Sequence, residues 1–279
     1  MWKAILSPDF FSTILRSATP ILFATLASAI AAKSGICNMA LEGIMLFSAL
    51  FGVIFSSLTH SAWLGLLITM VIGGLIGMIL AFFILNLKTD EILAAIAINL
   101  TATGGTVLIM VAFSGDRGVS SSIRSVSAPT VTLPLIEKIP FIGSVLSGQN
   151  ILTWLAILAV ILLHLFLYKT PLGLAIRAVG ENKNAAESVG ISSRKIKYIA
   201  LIISGVLASM GGFYLSGGYM NMFTKDMSGG RGFIALAASS MGGDTPVGGF
   251  LVSLLFGLAQ AVANVMQLTS LMPYEIILM

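Results

Sequence analysis

Repeated apolar runs, each long enough to cross a lipid bilayer, constrain this chain more than any motif in it. They read Phe10–Ala32, Asn38–Ser57, Ala62–Leu87, Ile92–Phe113, Ile151–Tyr168, Tyr198–Gly217 and Val247–Met266. Roughly 20 apolar residues in a helix cross a bilayer core of about 30 Å. A helix also satisfies its own backbone, which lipid cannot do. Gly232–Gly243 is too short for a simple span, and Pro273–Met279 is a stub. Apolar residues make up 57% of the chain and charged residues 9%, with a mean hydropathy of +1.02. So few charges could not cover a soluble core of this composition. The expected fold is all-α, a polytopic transmembrane helical bundle forming one domain over residues 1–279. It has about eight spans, one of them short or re-entrant, with a truncated last one.

Ile21–Ala32 has the look of a signal-peptide core, but the stretch before it is long and Asp9 interrupts the expected basic region, so no cleavage is expected. The single Cys37 excludes an internal disulfide and leaves the redox compartment open. The net charge of +4 comes from membrane-flanking cations, and no Lys/Arg run suggests nucleic acid. Six cations fall between Lys169 and Lys197. Cytoplasmic loops are enriched in Lys and Arg, so residues 169–197 are placed in the cytoplasm, together with the turns at Lys33 and Lys88. The N-terminus and the long Ser/Pro/Gly-rich segment 114–150 then lie outside.

The loop Lys169–Lys197 reads as two short helices. Pro171 suits a first helical turn, where its missing N–H costs nothing. Gly180 is placed to end that helix. Asn182 or Asn184 can cap a second one across Ala185, Ala186 and Val189, with Gly190 as its left-handed stop. Helices this short need packing against something else. Ala185 and Ala186 offer a flat face for that purpose.

Polar groups inside apolar spans are functional candidates because they are costly there. Glu42 sits early in the second span, with Asn38 one turn before it on the same helical face. Two readings stand side by side. Both residues bond to neighbouring backbone near the cytoplasmic interface, or they line a pathway or anchor a broken helix, for which Gly35 and Gly43 would supply the flexibility. Asn99, with Thr101 and Thr103, forms a polar stripe that can bond a solute or a neighbouring helix. His60 and His164 lack a second ligand at helical spacing and are read as packing or interfacial residues, so no metal site is expected. Gly73 and Gly77 have the spacing of a helix contact face. Gly230, Arg231 and Gly232 open the short apolar segment, which fits a half-helix or re-entrant element whose N-terminal N–H groups and positive dipole can meet a polar solute. A short helix buried among the others fits as well. The chain has no G-x-x-x-x-G-K-[ST], no H-E-x-x-H and no G-x-S-x-G. Nucleotide phosphates therefore have no cradle here, and no catalytic residue is expected.

Four segments in order carry a resemblance: ATPILFATLASAIAAKSGICNMALEGIML, TDEILAAIAINL, PLGLAIRAVGENKNAAESVGI and GGRGFIALAASSMGG. They resemble the branched-chain amino acid, ribose and nucleoside permease family of bacterial ABC importers, from about Thr19 to Met279, and most of all its shorter nucleoside/simple-sugar permeases. The resemblance implies a type II-like permease of the bacterial inner membrane that binds no cofactor itself. ATP and Mg would be used by a partner ATPase. A second, longer permease and an extracytoplasmic solute-binding protein complete the implied assembly, with membrane lipid around it. Gly180, Glu181, Asn182, Asn184, Ala185, Ala186 and Gly190 correspond to the family's ATPase-coupling element. Asn38, Glu42 and Asn99 are assigned to the pathway on the polar-in-membrane argument alone. Family members continue past Pro-Tyr-Glu through a full final span, whereas this sequence stops at Met279.

The resemblance implies nucleosides as the solute, ahead of simple sugars and then branched-chain amino acids. An ion-coupled transporter or channel would need paired intramembrane charges, and only Glu42 is a candidate. An intramembrane enzyme would need a nucleophile and base, and none is present.

Overall fold

A computed structural model describes residues 8–116, 118–131 and 147–269 of the chain. It is helical nearly throughout: α1 (Pro8–Lys33), α2 (Leu41–Thr59), α3 (Ala62–Leu85), α4 (Glu91–Ser114), α5 (Ile151–Lys169), α6 (Pro171–Glu181), α7 (Lys183–Ser188), α8 (Ser193–Phe213), α9 (Arg231–Met241) and α10 (Pro246–Thr269). A π-helical turn, Tyr214–Tyr219, extends α8. Two two-residue strands, β1 (Thr130–Val131) and β2 (Gln149–Asn150), pair antiparallel between α4 and α5. Among the described residues, seven helices are long and apolar enough to cross a membrane. The expected polytopic bundle is therefore present. The expected stub, Pro273–Met279, lies outside the described residues.

Burial runs against hydropathy. α1 is the least apolar of the seven and yet the most buried, whereas α3 is the most apolar and is largely exposed. In lipid there is no hydrophobic reward for hiding Leu from an equally apolar solvent, so helices associate through close packing and polar contacts. α1 supplies both. Ala24, Ala27 and Ala31 are fully buried on it, and Thr25 meets Ser253 of α10 at 3.1 Å. α3 turns Leu64, Leu67, Val71 and Leu75 outward. Its inner face is the Gly73/Gly77 pair, seated on α8. A Cβ on Gly73 would lie 2.4 Å from the Gly205 carbonyl, and one on Gly77 would lie 2.3 Å from that of Leu201. Backbone meets backbone there, so only glycine fits.

The loop between α4 and α5 lies on the end of α8. Ser120 N–H donates to the Phe223 carbonyl at 2.9 Å, and Ser125 Oγ to that of Ser216 at 2.6 Å. At the opposite end of the bundle, α6 and α7 follow α5 directly.

Candidate functional site

The second apolar run is expected to be helical from Asn38, but the helix starts only at Leu41. After the turn at Gly35 (φ +76°) the chain runs non-helically through residues 36–40 before α2 begins. Asn38 therefore precedes the helix and shares no helical face with Glu42. The physical reason is visible in its amide. Asn38 Oδ1 accepts from Ala40 N–H at 3.1 Å, a local bond that competes with helix. Its Nδ2 donates to Ser204 Oγ at 2.8 Å, and Ser204 Oγ donates in turn to the Ala27 carbonyl at 2.6 Å. Ser204 is about 16 Å along α8, close to half the depth of a bilayer core.

Irregular backbone at such depth needs partners for its polar groups, and side chains of α4 supply them, with Ser204 of α8 holding the Asn38 amide. Asn99, about 12 Å along α4, spans the break. Its Oδ1 accepts from Gly43 N–H at 2.8 Å, and its Nδ2 donates to the Met39 carbonyl at 3.0 Å. Glu91 Oε2 accepts from Cys37 N–H at 3.0 Å. Asn38 is fully buried and Asn99 half-buried. Thr101 and Thr103 do not join the network. They donate to their own helix at Ala97 and Asn99 and stay exposed.

Glu42 performs the longest reach. Its Oε1 accepts from Gly230 N–H at 2.8 Å, and its Oε2 accepts from Gly232 N–H at 2.7 Å. Both donors belong to the start of α9, which has no cap of its own: its N-cap is Gly230 at φ +78°. A carboxylate there satisfies orphan donors and opposes the positive end of the helix dipole. Gly232 comes so near that a Cβ would lie 2.5 Å from Glu42 N. α9 is only about 16 Å long, half a bilayer core, so the segment expected at Gly232–Gly243 is a short helix. Its far end returns to the Lys33 side, where Lys33 Nζ donates to the Gly243 carbonyl at 3.3 Å. Two helix starts, α2 and α9, thus meet inside the bundle. A cleft of about 430 Å³ opens between the stretch before α2 and the far half of α9, lined by Ser28, Cys37, Met39, Ala237, Ser240 and Asp244.

The polar loop is built from local bonds. Thr170 Oγ1 caps α6 by accepting from Gly173 N–H at 3.1 Å, with Pro171 in the first turn. Asn182 Oδ1 caps α7 through Ala185 N–H at 3.1 Å, so Asn182 is the cap and Asn184 is not. Gly190 (φ +85°) closes α7. Its N–H donates to the Glu187 carbonyl and Ile191 N–H donates to that of Ala186, both at 3.0 Å, which is the Schellman pattern. Ser193 Oγ also donates to Glu187 Oε1.

Two expectations for this loop are corrected. Gly180 does not end α6, which runs on through Glu181. It serves instead as a contact with the Lys33–Gly35 turn, since a Cβ there would lie 2.2 Å from the Lys33 carbonyl. Nor do the two alanines share one outward face. Ala186 is buried against its own chain while Ala185 is exposed, as is Val189 at 75%. Helical residues one position apart point about 100° from each other, so neighbours rarely share a face. Through Gly180, α6 bears on the turn that leads straight into the break at 36–40. The sequence alone left that link unread, because nothing local to Gly180 names its partner.

Arg231 turns away from the break. Its guanidinium donates to the Met227 and Ser228 carbonyls at 3.2 and 3.1 Å. His164 packs on the Tyr168 ring at 4.7 Å, as its packing role requires. Among the described residues no group of three or more His, Cys, Asp or Glu is placed to hold a metal ion.

Seven apolar spans, with a non-helical stretch before α2 and the short helix α9 packed among them, define a multi-pass membrane protein of the transport-permease class. The family described as branched-chain amino acid transport system/permease component matches residues 10–279, and the chain belongs to it. It is a permease subunit of an ABC importer in the plasma membrane, which implies an ATPase partner. A nucleoside ABC transporter permease of Lactococcus lactis is 33% identical over 91% of this chain and 81% of the relative. A guanosine ABC transporter permease of Bacillus subtilis is 32% identical, covering 88% of this chain and 79% of its own. A putative glucose ABC transporter permease of Haloferax volcanii is 31% identical, covering 89% and 74%. No solved structure matches the chain.

Proposed function

We propose that this permease subunit moves nucleosides, driven through the loop 169–197 by a cytoplasmic ATPase. The observation that supports the solute is the likeness to nucleoside and guanosine permeases over about nine-tenths of the chain. The polar atoms of Asn38, Asn99 and Glu42 are spent on the fold itself, so the reading of the solute rests on that likeness. The glucose relative favours a sugar as the second reading. Purifying the cognate extracytoplasmic binding protein and measuring which solutes raise its melting temperature separates the two. Stabilisation by guanosine or adenosine supports nucleosides, and stabilisation by hexoses alone overturns them.

In this reading residues 169–197 face the cytoplasm and segment 114–150 faces outward. The ATPase pushes on the exposed side of α6–α7, at Glu181, Asn184, Ala185 and Val189. Gly180 passes the displacement to the Lys33–Gly35 turn. The chain at 36–40 then shifts relative to Asn38, Glu42 and Asn99, and Gly230, Arg231 and Gly232 move with α9. A second, longer permease covers the exposed side of α9, where Phe233, Ala237 and Met241 face outward. Ala185→Glu places a charge on the exposed side without touching the fold, and is expected to abolish uptake while the membrane domain still assembles. Normal uptake by that variant with its native ATPase removes the coupling assignment.

A further inference from the structure

A second polar site lies near the end of the bundle remote from Lys33. It is a cavity of about 70 Å³ walled by Arg16 of α1, Tyr219 of the π turn, Arg231 of α9, and Gln260 and Asn264 of α10. Its volume is several times what one water requires. Arg16 and Asn264 are each about 26 Å from the Lys33 end of their helices, just beneath the far interface of a core about 30 Å thick.

The wall is one-sided in charge. Among the described residues two guanidinium groups line the cavity and no carboxylate does. Glu42, which faces the same α9 start, is already bonded to Gly230 and Gly232. Arg231 is anchored through one nitrogen, while its Nε is buried with no partner. Within the described residues the side chains of Arg16, Gln260 and Asn264 make no hydrogen bond either. Of these groups the Arg231 Nε is the buried donor, and a buried cationic donor without an acceptor is costly. Gln260 and Asn264 are four residues apart on one helix, so their amides converge on the same space.

We infer that this cavity binds a phosphate-class oxyanion. Guanidinium forks match the paired oxygens of phosphate, and the tyrosine hydroxyl and two amides add neutral donors. The depth suits the headgroup phosphate of a lipid in the adjacent leaflet, and a free phosphate entering from solvent offers the same chemistry. The site is independent of which solute the permease carries.

The test uses the assembled importer in nanodiscs. In phosphatidylcholine discs, inorganic phosphate is titrated against chloride at matched ionic strength while the melting temperature is followed. A parallel set of discs contains phosphatidylglycerol. A rise with phosphate assigns a soluble ligand, and a rise with phosphatidylglycerol alone assigns a lipid. In either case Arg16→Gln is expected to weaken the response about tenfold or more, and Arg16→Lys to restore part of it. Arg16 is exposed and makes no protein hydrogen bond, so its replacement leaves folding intact. Arg231→Gln is expected to act in the same direction. The inference is overturned if neither anion stabilises the wild type. An unchanged response in Arg16→Gln also overturns it, as does a variant whose only defect is weaker docking of the solute-binding protein.

Discussion

Two short helices of this permease solve the same problem by opposite means. α7 in the polar loop and α9 inside the bundle are both too short to stand alone. α7 is closed at both ends by its immediate neighbours, Asn182 before it and Gly190 after it. α9 begins on a left-handed glycine with no cap, and its first donors are met by Glu42, nearly two hundred residues earlier. A loop at a membrane surface has water for any group left over. A helix start at membrane depth has none, so its partner must come from elsewhere in the fold and be held there. Local capping makes an element that can move as a unit. Remote capping ties two halves of the chain together at one point.

The sharpest way to test that contrast is Glu42→Leu, which strips the acceptor from two N–H groups in an apolar surrounding. The expected loss is about 3 kcal/mol or more, read as a collapse of assembled permease on size-exclusion chromatography. Glu42→Gln keeps one of the two acceptor oxygens and should assemble better than Glu42→Leu while importing slowly. Asn99→Leu comes next, because it orphans the Gly43 N–H and the Met39 carbonyl together. About 2–4 kcal/mol is expected, with faster hydrogen exchange over residues 39–43. Gly180→Ala should cost about 1–3 kcal/mol by forcing α6 from the Lys33 carbonyl. Its diagnostic is ATP hydrolysis in the assembled importer that no longer yields solute uptake. Asn182→Ala and Gly190→Ala are the mildest, at about 1 kcal/mol each, measured as a small drop in melting temperature. If Asn182→Ala were as damaging as Glu42→Leu, the distinction between local and remote capping would fail.

The same contrast explains how much could be read in advance. Pro171, Asn182 and Gly190 were legible because they act on residues within four positions of themselves, whereas the Thr170 cap of α6 was not read. The choice between Asn182 and Asn184 was open, and the reach of the Asn182 side chain to Ala185 N–H decided it. Glu42 and Asn99 were legible as anomalies, since an acid or amide in an apolar run stands out, but their partners were not. Glu42 bonds to backbone N–H groups, those of Gly230 and Gly232. Asn38 was mistaken for a helical residue because the apolar pattern continues unbroken across it. Arg16 gave no signal at all, being one cation in an apolar helix until α9 and α10 brought Arg231, Gln260 and Asn264 beside it.

By itself the sequence determined the class of this protein, because runs of apolar residues in lipid must become helices. It also determined that the polar loop holds two short helices, with Pro171 opening the first and Gly190 closing the second within a turn. Only the tertiary structure decided where the second span breaks, which carboxylate holds α9, and that Gly180 rests on the turn leading into the break. Those are contacts between residues far apart in the chain. Their energy lies in satisfying buried polar groups, and that requirement names no partner until the helices are packed.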